Sequence, residues 1–329
     1  MIHFFFHPLG SITTDNRKLW LDALRGIAML LVVYGHCVKG WTEYYIFSSP
    51  IKMPLFFLIS GYLFKPRGGD QRAFFKGVFF RLVIPWVVLG IIHHTNPATR
   101  FLNLLSGKAL WFMPCFIIAE IVWFYVHKLA KRDGLIVVSG LVLSGVGLLL
   151  AHHHLLRYAM VNTALVVQAF FVLGFLMRKY EEVLDRSWKV WTAAAVVVYV
   201  ALGVYVVTCG TGRPLDVHLN RYPNLVLSML TIVVGCLAIF TLFRKLNVAP
   251  RWLVYIGQNT LPIYILHGIV LFLFNKYGTR IGLDASWPLA LLALLKTTVA
   301  CLMCCAFAAL ANRYLPELVG KKRAHNKNN

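Results

Sequence analysis

The chain has 329 residues, 59% of them hydrophobic and 14% charged, with a mean hydropathy of +0.69. A water-soluble domain of this length carries about a quarter charged residues, so the composition excludes a soluble globular protein. The net charge of +21 does not signal nucleic acid, because the basic residues cluster between apolar runs, as the positive-inside rule produces in membrane proteins.

Residues 1–16 carry an aromatic stretch at Phe4 to Phe6 but no long apolar core ending in small residues. They are expected to form an N-terminal cytosolic segment rather than a cleaved signal peptide. A membrane-spanning helix needs about 20 mostly apolar residues. Runs of that kind predict helices over 20–40, 51–64, 78–94, 109–127, 134–151, 160–177, 190–208, 223–243, 253–275 and 286–312. The second is short and the third contains Pro85. With both termini inside, 22 of the 33 Lys and Arg residues fall on the inner face and nine on the outer, leaving Arg25 and Lys296 within spans. The expected fold is therefore an all-α, polytopic transmembrane helical bundle of about ten helices, N-in and C-in. It occupies residues 17–313, is followed by a basic cytosolic tail at 314–329, and is multi-pass in the cytoplasmic (inner) membrane. No inverted internal repeat of the sort that builds many secondary transporters is visible.

The seven cysteines lie mostly inside apolar runs, where Cys packs as a small hydrophobe. Cys301, Cys304 and Cys305 have a metal-like spacing but no His or acidic neighbours in sequence, so packing is favoured over zinc. His93, His94 and the run His152 to His154 sit near outer loops; solvated loop histidines are favoured there over a metal site. No metal is expected.

A charge at membrane depth is costly and by default marks a functional site. Along the first helix, Asp22 and Arg25 are three apart and can pair on one face. Arg25 and His36 are eleven apart, about three full turns, so both point the same way, separated by roughly 16 Å. Snorkelling to the headgroups explains Arg25 alone, but not a second ionisable group sharing its face so far up. In the ninth helix His267 lies 15 residues beyond Trp252, as His36 lies 16 beyond Trp20, so the two imidazoles are expected at similar depth. Taken alone, His267 reads as structural. Glu120 and Lys296 each lie nine residues below a tryptophan, Trp111 and Trp287, on helices that run inward. A Glu120–Lys296 ion pair is the structural expectation.

Several stretches resemble one family. Leu21-Asp22-Ala23-Leu24-Arg25-Gly26 through His36 resembles the opening helix of the acyltransferase-3 family of integral membrane acyltransferases, whose signature is an Arg and a His separated by ten residues. Met53 to Phe64, with Ser60-Gly61-Tyr62, is similar to the family's second helix. Lys76 to Pro85, with Arg81, resembles the basic entry to the third, although Gly77 and Val78 stand where many members are basic. Trp111-Phe112-Met113 is similar to the Trp-Phe-Leu element of the fourth. Gly257-Gln258-Asn259-Thr260 through Tyr264 and His267 resembles the late Gly-x-x-Ser/Thr-x-x-Ile-Tyr-x-x-His motif. The likeness spans about residues 17 to 313, is concentrated in helices one, two and nine, and is most similar to the sugar O-acetylase branch, the type of fucose 4-O-acetylases.

The resemblance implies an O-acyltransferase that moves an acetyl or succinyl group from acyl-CoA to a glycan hydroxyl. Acetyl-CoA is then the donor substrate and no cofactor is bound. The implied partners are acyl-CoA, a cell-surface or lipid-linked glycan and the lipid bilayer, with glycan-synthesis proteins as further candidates and no nucleic acid. Acyl transfer to an alcohol needs a base and positive charge for the developing oxyanion. His36 is the candidate base, or itself the transiently acylated group. Arg25 and Arg81 are candidates to hold the donor's phosphates or polarise the thioester. Ser60, Tyr264, His267 and Asp22 are candidate lining or donor-binding residues. A transporter or flippase of a polar solute or lipid-linked sugar fits the buried charges equally well, and a subunit of an exporter complex without chemistry is a third alternative.

Overall fold

In lipid an apolar segment satisfies its backbone only as a helix or a closed barrel, and every long apolar run here is helical. The computed structural model describes residues 18–38, 40–65, 70–93, 100–106, 110–210, 212–278 and 288–321. Segment 1–16, His94, Trp287 and the tail beyond residue 321 lie outside these residues. The helices are α1 (Leu19–Cys37), α2 (Thr42–Lys52), α3 (Pro54–Leu63), α4 (Gln71–Val78), α5 (Ile84–His93), α6 (Arg100–Ser106), α7 (Phe112–Leu129) and α8 (Asp133–His152). They continue as α9 (Val161–Val166), α10 (Gln168–Lys179), α11 (Glu181–Arg186), α12 (Trp188–Thr208), α13 (Leu225–Lys245), α14 (Arg251–Gln258), α15 (Thr260–Gly278) and α16 (Leu289–Tyr314).

Among the described residues nine helical runs are long and apolar enough to cross a membrane, and the α9–α10 pair, bent by 41°, makes ten. The bend exposes backbone groups that nearby polar side chains meet. Gln168 Nε2 donates to the carbonyls of Ala119 (3.2 Å) and Ala164 (2.9 Å), and Ser144 Oγ donates to that of Val166 at 2.7 Å. Those contacts make the break tolerable at membrane depth.

Three spans differ from expectation at their edges. The second runs over 42–63, nine residues earlier than predicted, because α2 joins α3 at Met53. Its Thr, Glu and Ser residues lower the local hydropathy, but Ser48, Ser49 and Pro50 face protein rather than lipid and are buried. The third begins at Gln71 and contains a π-helical turn, Phe79–Val83, between α4 and α5. The ninth is two helices. Asn259 ends α14, donating to the Tyr255 carbonyl at 2.8 Å and accepting from Asn312 (2.9 Å) and Lys321 (3.0 Å).

α1 is the axial helix, buried along Trp20, Leu24, Ala28, Val32 and Val33, and it packs against α14, α16 and α2. α8 and α12 are peripheral. Their exposed side chains, such as Leu141, Val142, Val197 and Val204, are apolar, so these faces meet lipid. At the basic face an ion-pair network ties α11 to α13. Arg244 forks onto both carboxylate oxygens of Asp185 (2.7 and 2.9 Å) and reaches Glu181 at 2.6 Å. Tyr62 donates to Glu181 and accepts from Lys18, which brings α1 and α3 into the same network.

Candidate active site

Two glycine contacts set the inner architecture. α14 crosses α1 where Gly257 lies on the backbone of Asp22 and Gly26 on that of Leu253, so a Cβ at either would overlap a carbonyl oxygen. α3 crosses α10 in the same way through Gly61 and Gly174. The first crossing brings Gln258 against α1. Its Nε2 donates to Asp22 Oδ2 at 3.2 Å, while the other oxygen, Oδ1, accepts from Arg25 Nη1 at 3.3 Å. Asp22 is 2% exposed, so this carboxylate is a buried anchor that aims the guanidinium. Gln258 is thus a positioning residue that sequence reasoning missed. Gln258 and Asp22 are 236 positions apart and no local pattern links them.

Arg25 and Arg81 are the charges that act on Glu120 of α7. Arg81 sits in the π-helical turn and is exposed, with its Nε donating to the Gly77 carbonyl at 3.1 Å. π-Turns inside helices are frequent at functional sites. The expected Glu120–Lys296 pair does not form. Lys296 Nζ instead donates to Asn275 Oδ1 at 2.8 Å and lies over the Phe274 ring. The physical reason is that Trp111 does not mark the membrane surface. The adjacent Phe112 N–H donates to the Tyr264 hydroxyl at 3.1 Å, so α7 begins inside the bundle and Glu120 falls correspondingly deeper, toward the basic face.

Above this cluster, toward the opposite face, lies a cavity of about 520 Å³. His36 is exposed on its wall, and its ring centroid is 5.0 Å from that of the buried His267. His267 Nδ1 lies 3.0 Å from the Ile263 carbonyl. A carbonyl only accepts, so Nδ1 carries a proton, and Nε2 is the ring nitrogen turned away from the helix backbone. Tyr264, 6.0 Å from His267 between ring centroids, also lines the cavity. The two imidazoles expected at similar depth are brought together.

Residues the sequence did not single out complete the cavity. Between α12 and α13, residues 214–218 fold into it: Leu215 and Val217 are buried, and Asp216 and His218 line the wall. Asp216 Oδ1 accepts from the backbone N–H groups of His218 (2.9 Å) and Leu219 (3.3 Å), and an isolated bridge to Arg221 closes the turn. His218 stacks on Trp111 with centroids 4.8 Å apart. Burial pushes the pKa of His218 below its ordinary value, against the pull of Asp216, so it stacks as the neutral ring near pH 7. Lys52 lines the same cavity. Ser60 does not. It is half-buried on α3, with its carbonyl accepting from Phe64 N–H at 2.9 Å. Cys301, Cys304 and Cys305 are buried in α16, and His152 to His154 are exposed at the end of α8.

The family described as an acyltransferase domain matches residues 18–309, nearly the whole chain and all but one of the candidate spans to its end. The chain belongs to the acyltransferase-3 family. No curated protein and no solved structure matches it. The family and the helical bundle together make this a multi-pass membrane acyltransferase. In this acyltransferase the motif residues fall into two groups: Asp22, Arg25 and Arg81 toward the basic face, and His36, Tyr264 and His267 around the cavity.

Proposed function

We propose that the protein transfers an acetyl or succinyl group from acyl-CoA, in the cytoplasmic membrane, to a hydroxyl of a cell-surface or lipid-linked glycan of the kind modified by sugar O-acetylases. The observation that carries this is the placement of His36, exposed in a cavity beside His267, on the same helix as the Asp22-anchored Arg25. His36 takes the proton of the acceptor hydroxyl as general base. Arg25, aimed by Asp22, and Arg81 hold the donor's phosphates from the basic face, where a planar fork suits two phosphate oxygens. The donor's arm then spans roughly 16 Å along α1 to place its thioester at His36. The acceptor enters the cavity from the opposite face and is modified without crossing.

Purified protein given acetyl-CoA and a mixture of surface glycans is expected to produce an ester on a sugar hydroxyl, detected by mass spectrometry as one acetyl mass per site. Movement of glycan across a vesicle membrane without any mass change would favour a flippase instead.

A further inference from the structure

One requirement of acyl transfer at His36 is unmet by the residues placed so far. Attack on a thioester puts negative charge on the carbonyl oxygen, and that charge is stabilised by a donor about 3 Å away. Arg25 is roughly 16 Å from His36 along α1, and Arg81 is exposed in the π-helical turn, away from the lining of the cavity. Neither guanidinium reaches an oxyanion formed at His36.

Lys52 is at the right level. It ends α2, within the membrane-spanning run 42–63, and lines the cavity with His36. Its Nζ lies beside Gly35, the residue preceding His36, close enough that a Cβ there would stand 3.3 Å from it. The ammonium is held over the rings of Tyr45 (4.7 Å) and Tyr44 (5.7 Å). Both rings are fixed to α1 itself. Tyr45 donates to the Gly35 carbonyl at 2.5 Å and Tyr44 to that of Leu31. The helix that carries His36 therefore also sets the position of the ammonium. Among the described residues no carboxylate forms an ion pair with Lys52, and the acid that acts on it is Asp216, elsewhere on the cavity wall. A half-buried cation without a salt-bridge partner carries a solvation cost that a ligand's negative charge offsets.

We infer that Lys52 provides the positive charge that stabilises the tetrahedral oxyanion of the transfer step; the inference rests on the acyl-transfer reading proposed above. The acceptor oxygen bonds to the thioester carbonyl carbon as its proton passes to His36, and the carbonyl π-electrons move to oxygen opposite the Lys52 ammonium. Collapse re-forms the carbonyl and breaks the carbon–sulfur bond. The departing thiolate takes the proton back from His36, and Lys52 keeps its own proton throughout.

The test compares wild type with Lys52→Met, Lys52→Arg and Lys52→Ala, using the purified full chain, acetyl-CoA and the same mixture of surface glycans. Lys52→Met is expected to lose about 100-fold or more in kcat, with the donor's KM within about threefold of wild type. Lys52→Arg should fall between the two. Added ethylammonium should partly restore Lys52→Ala in a dose-dependent way and leave His36→Ala inactive. A Lys52→Met enzyme with more than about a third of wild-type kcat, or a loss confined to KM, overturns the inference. So does failure of both neutral variants to fold, since that makes Lys52 a structural ion, and so does the absence of amine rescue. Wild type that transfers no acyl group sinks the acyl-transfer reading itself, whereas an active wild type matched by Lys52→Met sinks only the role of Lys52.

Discussion

His36→Ala is expected to lower kcat for acyl transfer by about 10²- to 10⁴-fold, the range for loss of a positioned general base, while the donor's KM stays within about threefold. The split follows from the geometry. Donor phosphates are assigned to Arg25 and Arg81, roughly 16 Å deeper along α1, so truncating His36 removes no donor contact. The acid–base step is lost because no other group on the cavity wall is placed like His36. His267 is the closest substitute, with its ring 5.0 Å away, but its Nδ1 is committed to the Ile263 carbonyl and the ring is buried. His36→Gln should be as inactive as His36→Ala, since it retains hydrogen bonding but cannot take a proton at neutral pH. Steady-state kinetics on purified protein checks both. A variant within about a tenth of wild-type kcat removes His36 from the chemistry.

Among the described glycines, Gly257→Ala is expected to be the most damaging single added methyl group. The new Cβ would overlap the Asp22 carbonyl oxygen and stand 3.1 Å from the Gly26 nitrogen. Both obstacles are backbone of the axial helix, so α14 and α1 must separate. Overpacking of this kind costs about 1–3 kcal/mol or more. The separation also pulls Gln258 away from Asp22 and frees Arg25 from its aim, so donor binding should weaken together with stability. Gly134→Ala is the control, because nothing lies within 4 Å of a Cβ there. Thermal denaturation in detergent should show a lowered midpoint for Gly257→Ala and none for Gly134→Ala. Equal midpoints for the two would mean that the α1–α14 crossing is not a tight backbone contact.

Composition and the lengths of the apolar runs were enough to find the ten spans, because a run of about 20 apolar residues in lipid satisfies its backbone as a helix. The eleven-residue spacing of Arg25 and His36 was enough to put them on one face, because helical geometry has a single period. Counting residues from Trp252 also placed His267 level with His36. The same ruler failed for Glu120. Trp111 stacks on His218 at the cavity wall, and a tryptophan's environment is a tertiary property. Lys52 was not legible because the polar residues of α2 conceal the helix that carries it, with Ser48 and Ser49 facing protein. Gln258, Asp216 and His218 were illegible for a related reason. Their roles depend on which distant helix or loop the fold brings alongside, as with Gln258 and Asp22. The late glycine motif was read as a functional signature, and its structural content is specific: Gly257 permits the crossing, Gln258 orients Asp22, and Asn259 ends α14.

Donor and acceptor are expected to meet at His36 from opposite sides of the membrane. The most direct test is a proteoliposome of fixed orientation, with acetyl-CoA confined to the basic face and the glycan acceptor to the other. Acetyl esters are expected on the acceptor with wild-type protein and not with His36→Ala, and the acceptor should remain on its own side. Ester formation only when donor and acceptor share one compartment would contradict the account.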